Sequence, residues 1–388
     1  MEHPYLLEAA LILVAVELAG LASRRLGQPA VLGKLLSGVI LGPAMLNWVQ
    51  PGPWIAEAAQ VGVILLMFIA GLETDLGQFR RSVAGAGLVA TVGVIVPFAG
   101  GWALAELEGY HGMPAVFAGV LLVATSVSIS VQTLRELGRL TSREGATILG
   151  AAVIDDVLGL IVLSAVLGLA GGGGAHLAED LPILLIKISA FLAAAFGAGR
   201  YLLPPLIRAA AKVETGVART AMAIAAALAF GFVAEAFGLA AIVGAYVLGL
   251  ALGAAGLSRS LLPETEAVTF AFFAPIFFVN VGLAANFAGV GGRFWLFALA
   301  LSAVAVVTKL IGCGLGARLA RFSRSSALVI GAGMVARGEV GLIVASIGLE
   351  RGLIPEQLYS GMIAVALVTT LVTPPLLKWA LHRFSTRE

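Results

Sequence analysis

The stretch GAAVIDDVLG, Gly150 to Gly159, puts two adjacent aspartates, Asp155 and Asp156, inside an apolar run from about Gly145 to Leu169. A run of roughly 20 apolar residues spans a bilayer as a helix, and a carboxylate near its centre costs at least about 2.5 kcal/mol. Neighbouring helical residues point about 100° apart, so both carboxylates can reach one polar cavity while neither neutralises the other. Such a pair requires a cation. Ala151, Ala152 and Gly159 leave room for a neighbouring backbone to approach closely. The stretch therefore reads as an ion site where protons exchange with a metal cation.

Working outward, the chain of 388 residues is 60% hydrophobic and only 12% charged, with mean hydropathy +1.03, which places it in the polytopic membrane class. A formal net charge of +2 gives no basis for nucleic-acid binding. The single Cys313 excludes an internal disulfide or a cysteine metal cluster. His3, His111, His176 and His382 all fall near predicted helix ends or the termini, so carboxylates must carry the protons. Met1 to Gly27 lacks the basic leading segment of a cleavable signal peptide.

Gly, Pro and charge punctuation predicts about thirteen apolar segments, near 5–23, 30–48, 55–73, 83–105, 114–138, 145–169, 182–203, 218–234, 239–254, 267–285, 294–316, 326–348 and 356–380. The connections holding Arg24 and Arg25, Arg80 and Arg81, Arg135, Arg139 and Arg143, and Arg318, Arg321 and Arg324 all fall on one side, as do those with Arg208, Lys212 and Arg219, Arg259, and Lys378, Arg383 and Arg387. The opposite connections hold Arg293 and Arg351. The positive-inside rule makes the basic side cytoplasmic, with the N-terminus outside and the C-terminus inside. Gly171 to Asp180 (GGGGAHLAED) reads as a flexible linker beside a seventh segment. Six segments precede the seventh and six follow it, so the two sets enter the membrane in opposite senses, an inverted-topology arrangement.

The fifth and twelfth segments are equivalent members of the two sets, and both carry helix-weakening chemistry. Thr125, Ser126, Ser128 and Ser130 in the fifth compete for backbone hydrogen bonds. In the twelfth, Gly331, Gly333, Gly338 and Gly341 surround Arg337 and Glu339, a charged pair read as stabilising a broken helix. Paired weak points predict a midplane site lined by freed carbonyls, which suit a hard cation. At about 1.5 Å per residue from the cytoplasmic end, Asp155 lies roughly 15 Å deep, Ser128 10 to 15 Å, Glu339 20 Å and Lys309 11 to 14 Å. Lys309 is the candidate partner of an aspartate. Glu17 and Lys187 lie nearer segment ends and receive no role, while Glu73 and Asp75 are placed at the cytoplasmic boundary.

These residues carry a family resemblance. RLGQPAVLGKLLSGVILGP (Arg25 to Pro43), LLMFIAGLETDL (Leu65 to Leu76), VATSVSISVQTLRELG (Val123 to Gly138), LGAAVIDDVLGLIV (Leu149 to Val162), FFAPIFFVNVGL (Phe272 to Leu283), Lys309 and ARGEVGLIVA (Ala336 to Ala345) resemble the bacterial second cation:proton antiporter family, in its thirteen-span sodium/proton branch. The resemblance implies an all-α membrane protein with two broken crossing helices, forming a homodimer in the cell inner membrane and using no cofactor. Residues 1–82 and 217–288 would form a dimerisation domain, 83–170 and 289–388 a mobile core, and 171–216 a linker helix. Asp156 would bind sodium or lithium, Asp155 would pair with Lys309, and the core would move like an elevator. Two positions depart from the family pattern. Lys34 stands where a glutamate is usual, and Val335 and Ala336 precede Arg337 where a proline is common, which predicts a shallower twelfth break. The chain ends at Glu388 without the nucleotide-binding domain that potassium-efflux relatives often append, which favours sodium.

If proton and cation compete for coupled carboxylates, exchange follows from competition alone, and release of a proton from Lys309 would make it electrogenic. Three other readings compete: potassium/proton exchange at the same site, a sodium-coupled organic-solute symporter, and an intramembrane aspartyl protease. The last needs carboxylates facing one water, from which adjacent residues diverge.

Overall fold

The structure, a computed structural model, describes residues 4–170, 174–213, 216–284 and 292–385. Every regular element among them is helical: α1 (Pro4–Arg25), α2 (Ala30–Leu41), α3 (Pro53–Glu73), α4 (Leu76–Leu107), α5 (Met113–Val123), α6 (Val127–Glu136), α7 (Arg143–Ala170), α8 (Gly174–Gly197), α9 (Leu203–Val213), α10 (Gly216–Ala236), α11 (Ala241–Ala254), α12 (Ser258–Val268), α13 (Ala274–Leu283), α14 (Gly292–Leu319), α15 (Arg324–Gly333), α16 (Glu339–Glu350) and α17 (Glu356–Ser385). Single π turns, Ala198–Leu202 and Thr269–Phe273, join α8 to α9 and α12 to α13. By length and composition, ten described stretches suffice to cross a membrane, and Ala30–Leu41 and Ala241–Ala254 are shorter apolar helices.

Local chemistry sets the ends. Asp75 caps α4 by accepting from the Gln78 N–H at 2.6 Å, which starts that helix seven residues before the expected boundary and carries the polar Arg80 and Arg81 within it. Pro53 opens α3 at its first helical position. α2 stops at Leu41 rather than continuing to 48, because Gly42 and Pro43 cannot prolong it. α12 begins at Ser258, before the expected 267, because its polar residues are paired: Glu264 with Arg219 and Glu266 with Arg135. The linker expected over Gly171 to Asp180 is shorter, since α8 begins at Gly174 and residues 171–173 lie outside the described part.

The packing shows the repeat. α4 lies against α14, α5 and α7, and α14 also lies against α15 and α17. α3 packs on α11 and α13, and α2 packs on α1 and α13. Exchanging the elements before α8 and α9 with those after them maps these pairs onto one another. The pair of α2 and α13 becomes that of α11 and α3; α4 with α5 becomes α14 with α15; α4 with α7 becomes α14 with α17; and α1 with α2 becomes α10 with α11. Glycines permit two of these close crossings: a Cβ on Gly71 or Gly249 would strike a carbonyl of the facing helix, and so would one on Gly38 or Gly282. The two glycine pairs are images of each other under the same exchange.

Candidate ion site

Between α5 and α6 the chain leaves helical geometry over residues 124–126, and between α15 and α16 over 334–338. The two stretches touch, with the Ser126 N–H donating to the Ala336 carbonyl at 2.8 Å. The expectation of a shallow break before Arg337 is corrected, since this interruption is the longer of the two. Proline is not needed to make it, because Arg337 itself takes up a carbonyl that the helix would have used.

Breaking a helix in a dry interior strands carbonyls at the end of the first half, where the helix dipole is also negative. The sequence reading assigns those carbonyls to a bound ion. In the structure the protein's own cations hold them. The Arg337 guanidinium donates to Val335 O at 2.7 Å on its own segment and to Leu122 O at 2.6 Å at the end of α5, with a longer contact to Ala305 O at 3.5 Å. Its main chain is held by α17, where Thr369 Oγ1 accepts from the Arg337 N–H and Thr370 Oγ1 donates to its carbonyl. Lys309, on α14, donates to Val123 O at 3.0 Å, to Gly93 O at 2.9 Å and to Asp155 Oδ1 at 3.0 Å. Both cations are fully buried. Gly93 is required here, because a side chain at that position would collide with Cys313.

The two aspartates occupy different surroundings, which corrects the expectation that they share a cavity. Asp155 is 1% exposed and engaged by Lys309. Asp156, one residue on and about 100° round the helix, is partly exposed and lines a narrow cleft with Met67, Val127, Leu149, Ile242 and Tyr246. α6 begins beside this cleft at Val127. Among the described residues, neither the N-cap of α6, Ser126, nor that of α16, Gly338, makes a side-chain capping hydrogen bond. The hydroxyls of Ser126, Ser128 and Ser130 are buried and have no hydrogen-bond partner among the described residues, while Thr125 Oγ1 makes a long bond to Val123 O at 3.4 Å. A buried hydroxyl without a partner costs about 1 to 3 kcal/mol, so two on the ten-residue α6 and a third on its N-cap suit a site that water or an ion fills.

The Glu339 side chain lies outside the described part. Sequence reasoning missed several groups that structure brings together. Lys34 pairs with Glu17 at 3.0 Å. Arg135 pairs with Glu73 at 3.2 Å and with Glu266. The Thr369-Thr370 doublet within an apolar stretch was the visible signal for the α17 contribution, whereas Gly93 carried none. Asn280 lines a cavity of about 230 Å³ with Gln60, Arg337 and Gly338.

A family model described as "sodium/hydrogen exchanger, transmembrane" matches residues 10–383. The chain belongs to that family. Members of the sodium/hydrogen exchanger family are transporters rather than enzymes, and their transported ions are sodium and protons. Among its relatives are the Na(+)/H(+)-K(+) antiporter GerN of Bacillus cereus, 41% identical over 98% of this chain and 97% of the relative. An Na(+)/H(+) antiporter of Enterococcus hirae is 40% identical over 95% of this chain and 96% of its own length. The fold matches that of the sodium proton antiporter MjNhaP1 of Methanocaldococcus jannaschii with a TM-score of 0.76, covering 99% of this chain and 98% of that one at 16% identity. The exchanger is thus a multi-pass membrane protein of the antiporter fold.

Proposed function

We propose that this exchanger carries sodium or lithium in one direction and protons in the other, with Asp156 as the group that holds either. The observation that carries the reading is the division of labour between adjacent carboxylates. Asp155 is sealed on Lys309, while Asp156 faces a cleft beside a half-helix that bears orphan hydroxyls. A carboxylate in that position binds a proton or a partly dehydrated cation, and occupancy by one excludes the other. Lys309 would lose its proton when a cation neutralises the locality, making transport electrogenic. Each charge moved is worth about 2.3 kcal/mol per 100 mV.

In this reading the ten long stretches, the two short apolar helices and the α15–α16 pair make thirteen crossings. The basic connections lie in the cytoplasm, the N-terminus lies outside, and the chain sits in the cell inner membrane. α1 to α3 and α10 to α13 form a dimerisation domain shared with a second copy. α4 to α7 and α14 to α17 form the core that moves as an elevator. The packing supports that partition, since α4 and α14 pack mainly within the second group and α2 and α3 mainly within the first. Potassium is the second reading, favoured by the name of the 41% identical relative from Bacillus cereus.

The test is a set of currents on solid-supported membranes for sodium, lithium and potassium jumps. Asp156→Asn should abolish them while the purified protein keeps its melting temperature. Wild-type currents in that variant would refute the site. A voltage-insensitive exchange rate would remove the electrogenic version and leave exchange intact.

A further inference from the structure

The half-helix α6 is ten residues long, and its two ends do different things. Its first turns carry the orphan hydroxyls of the ion site. Its last turn carries Arg135 and Glu136, and both reach across to the other helix group. Arg135 donates to Glu73 at the end of α3 and to Glu266 on α12, and its guanidinium lies 4.8 Å from the centre of the Phe270 ring. Glu136 accepts from the Val31 N–H of α2 at 3.3 Å and from Gln132 on its own helix. At the same end, Lys378 of α17 donates to the Gly27 carbonyl in the turn between α1 and α2. At the opposite end of α3, α13 and α17 the two groups stand apart around the cavity lined by Gln60, Phe277, Asn280 and Ile363. Arg351, at the far end of the equivalent half-helix α16, is exposed and makes no ion pair with a described residue.

We propose that Arg135 is a positioning residue for exchange, a latch that clamps the mobile core to α3 and α12 and holds the transporter closed at this end and open at the other. A rigid helix of ten residues, about 15 Å long, couples the latch to the site, so inward movement of the core must break the Arg135 contacts with Glu73 and Glu266. The pairs are partly buried, the side chains being 21%, 21% and 33% exposed for Arg135, Glu73 and Glu266. Releasing them shifts the balance of the two states by about fivefold, the scale of a partly screened pair.

This inference rests on the alternating-access reading above, and the experiment separates the two. Two reporter thiols are placed in otherwise intact protein in nanodiscs: Ile363→Cys on the open cavity and Val243→Cys on the closed cleft beside Asp156. The native Cys313 is fully buried and gives the background. In the parent, sodium should change the two maleimide labelling rates in opposite directions. Arg135→Gln should slow labelling at position 363 and speed it at 243, each about fivefold. Arg135→Lys, which keeps one charge contact, should fall between, and Glu266→Gln serves where Arg135→Gln does not fold. If the parent rates ignore sodium, alternating access fails and the latch with it. If they respond but Arg135→Gln and Glu266→Gln leave both rates at the parent values, or move both in the same direction, the latch alone is overturned.

Discussion

The break between α5 and α6 takes three residues out of the helix and leaves buried hydroxyls without a partner among the described residues. The break between α15 and α16 takes five and delivers a guanidinium that bonds to both segments. Equivalent under the packing repeat, the two interruptions carry unlike chemistry. One has freed carbonyls held by the chain's own guanidinium, whose Nε alone lacks a partner among the described residues. The other keeps hydroxyls without partners among the described residues, and in the proposed reading it is the half that meets the ion. A symmetric backbone can therefore hold an asymmetric site, and the asymmetry is testable residue by residue.

The largest effect is expected at Arg337. Arg337→Met keeps the apolar stem but strips the donors from the Leu122 and Val335 carbonyls, in a place that no protein donor replaces. Leaving the two buried carbonyls without donors costs about 1 to 3 kcal/mol each. The measurement is thermal unfolding of the purified protein in detergent, followed by the monodisperse fraction. A variant that melts like the parent would mean that the guanidinium does not hold the crossing together.

Next in size is the bond between Lys309 and Asp155. Lys309→Met alone leaves a buried carboxylate unpaired, and Asp155→Asn alone leaves a buried ammonium with only carbonyls. The double variant removes both charges, so its loss should be smaller than the sum of the single losses by about 2 to 4 kcal/mol. Additive losses would show that the pair seen at 3.0 Å contributes nothing beyond its separate contacts.

Where the segments touch, Gly338 tests how tightly the two breaks interlock. A Cβ there would sit 2.6 Å from Ser126 Oγ and 2.7 Å from Ser126 Cβ, and neither atom belongs to a long side chain that can swing away. Gly338→Ala should cost about 1 to 3 kcal/mol. Adding Ser126→Gly should recover most of it, whereas Gly341→Ala, whose new Cβ would lie 3.8 Å from Ala124, should cost nothing measurable. Equal melting temperatures for the Gly338 and Gly341 variants would show the crossing to be looser than this geometry.

Much of this architecture is legible in the chain itself. Hydropathy and punctuation locate the helices, and the hydroxyl-rich and glycine-rich windows locate the two breaks. The double aspartate and Lys309 stand out because an apolar stretch does not tolerate them without partners. What stays hidden is which atoms a charge will meet. Sequence sets Arg337 beside Glu339, and among the described residues its guanidinium meets carbonyls 2, 32 and 215 residues away. The polar starts of α4 and α12 look like connections because hydropathy scores each residue alone, whereas Asp75 caps and Glu266 pairs. The reach of Arg135 to α3 and α12 is likewise a tertiary fact, invisible in the run VQTLRELG, Val131 to Gly138.

The smallest effect is the most informative about function. Ser128→Ala and Ser130→Ala remove hydroxyls that have no described partner, so the folded protein loses no bond. Replacing an unsatisfied buried hydroxyl by a methyl group removes a desolvation cost, and the melting curve should be unchanged or shifted up by about 1 kcal/mol in each case. If the hydroxyls exist to meet the cation or its water, sodium affinity should fall by about threefold to tenfold, the worth of a single ordinary hydrogen bond. A gain in stability joined to a loss in affinity is the signature of a group retained for binding. Measuring half-maximal sodium activation and melting temperature on the same preparations decides it. A loss of stability would instead make the serines structural, and the two breaks would then differ in composition but not in purpose.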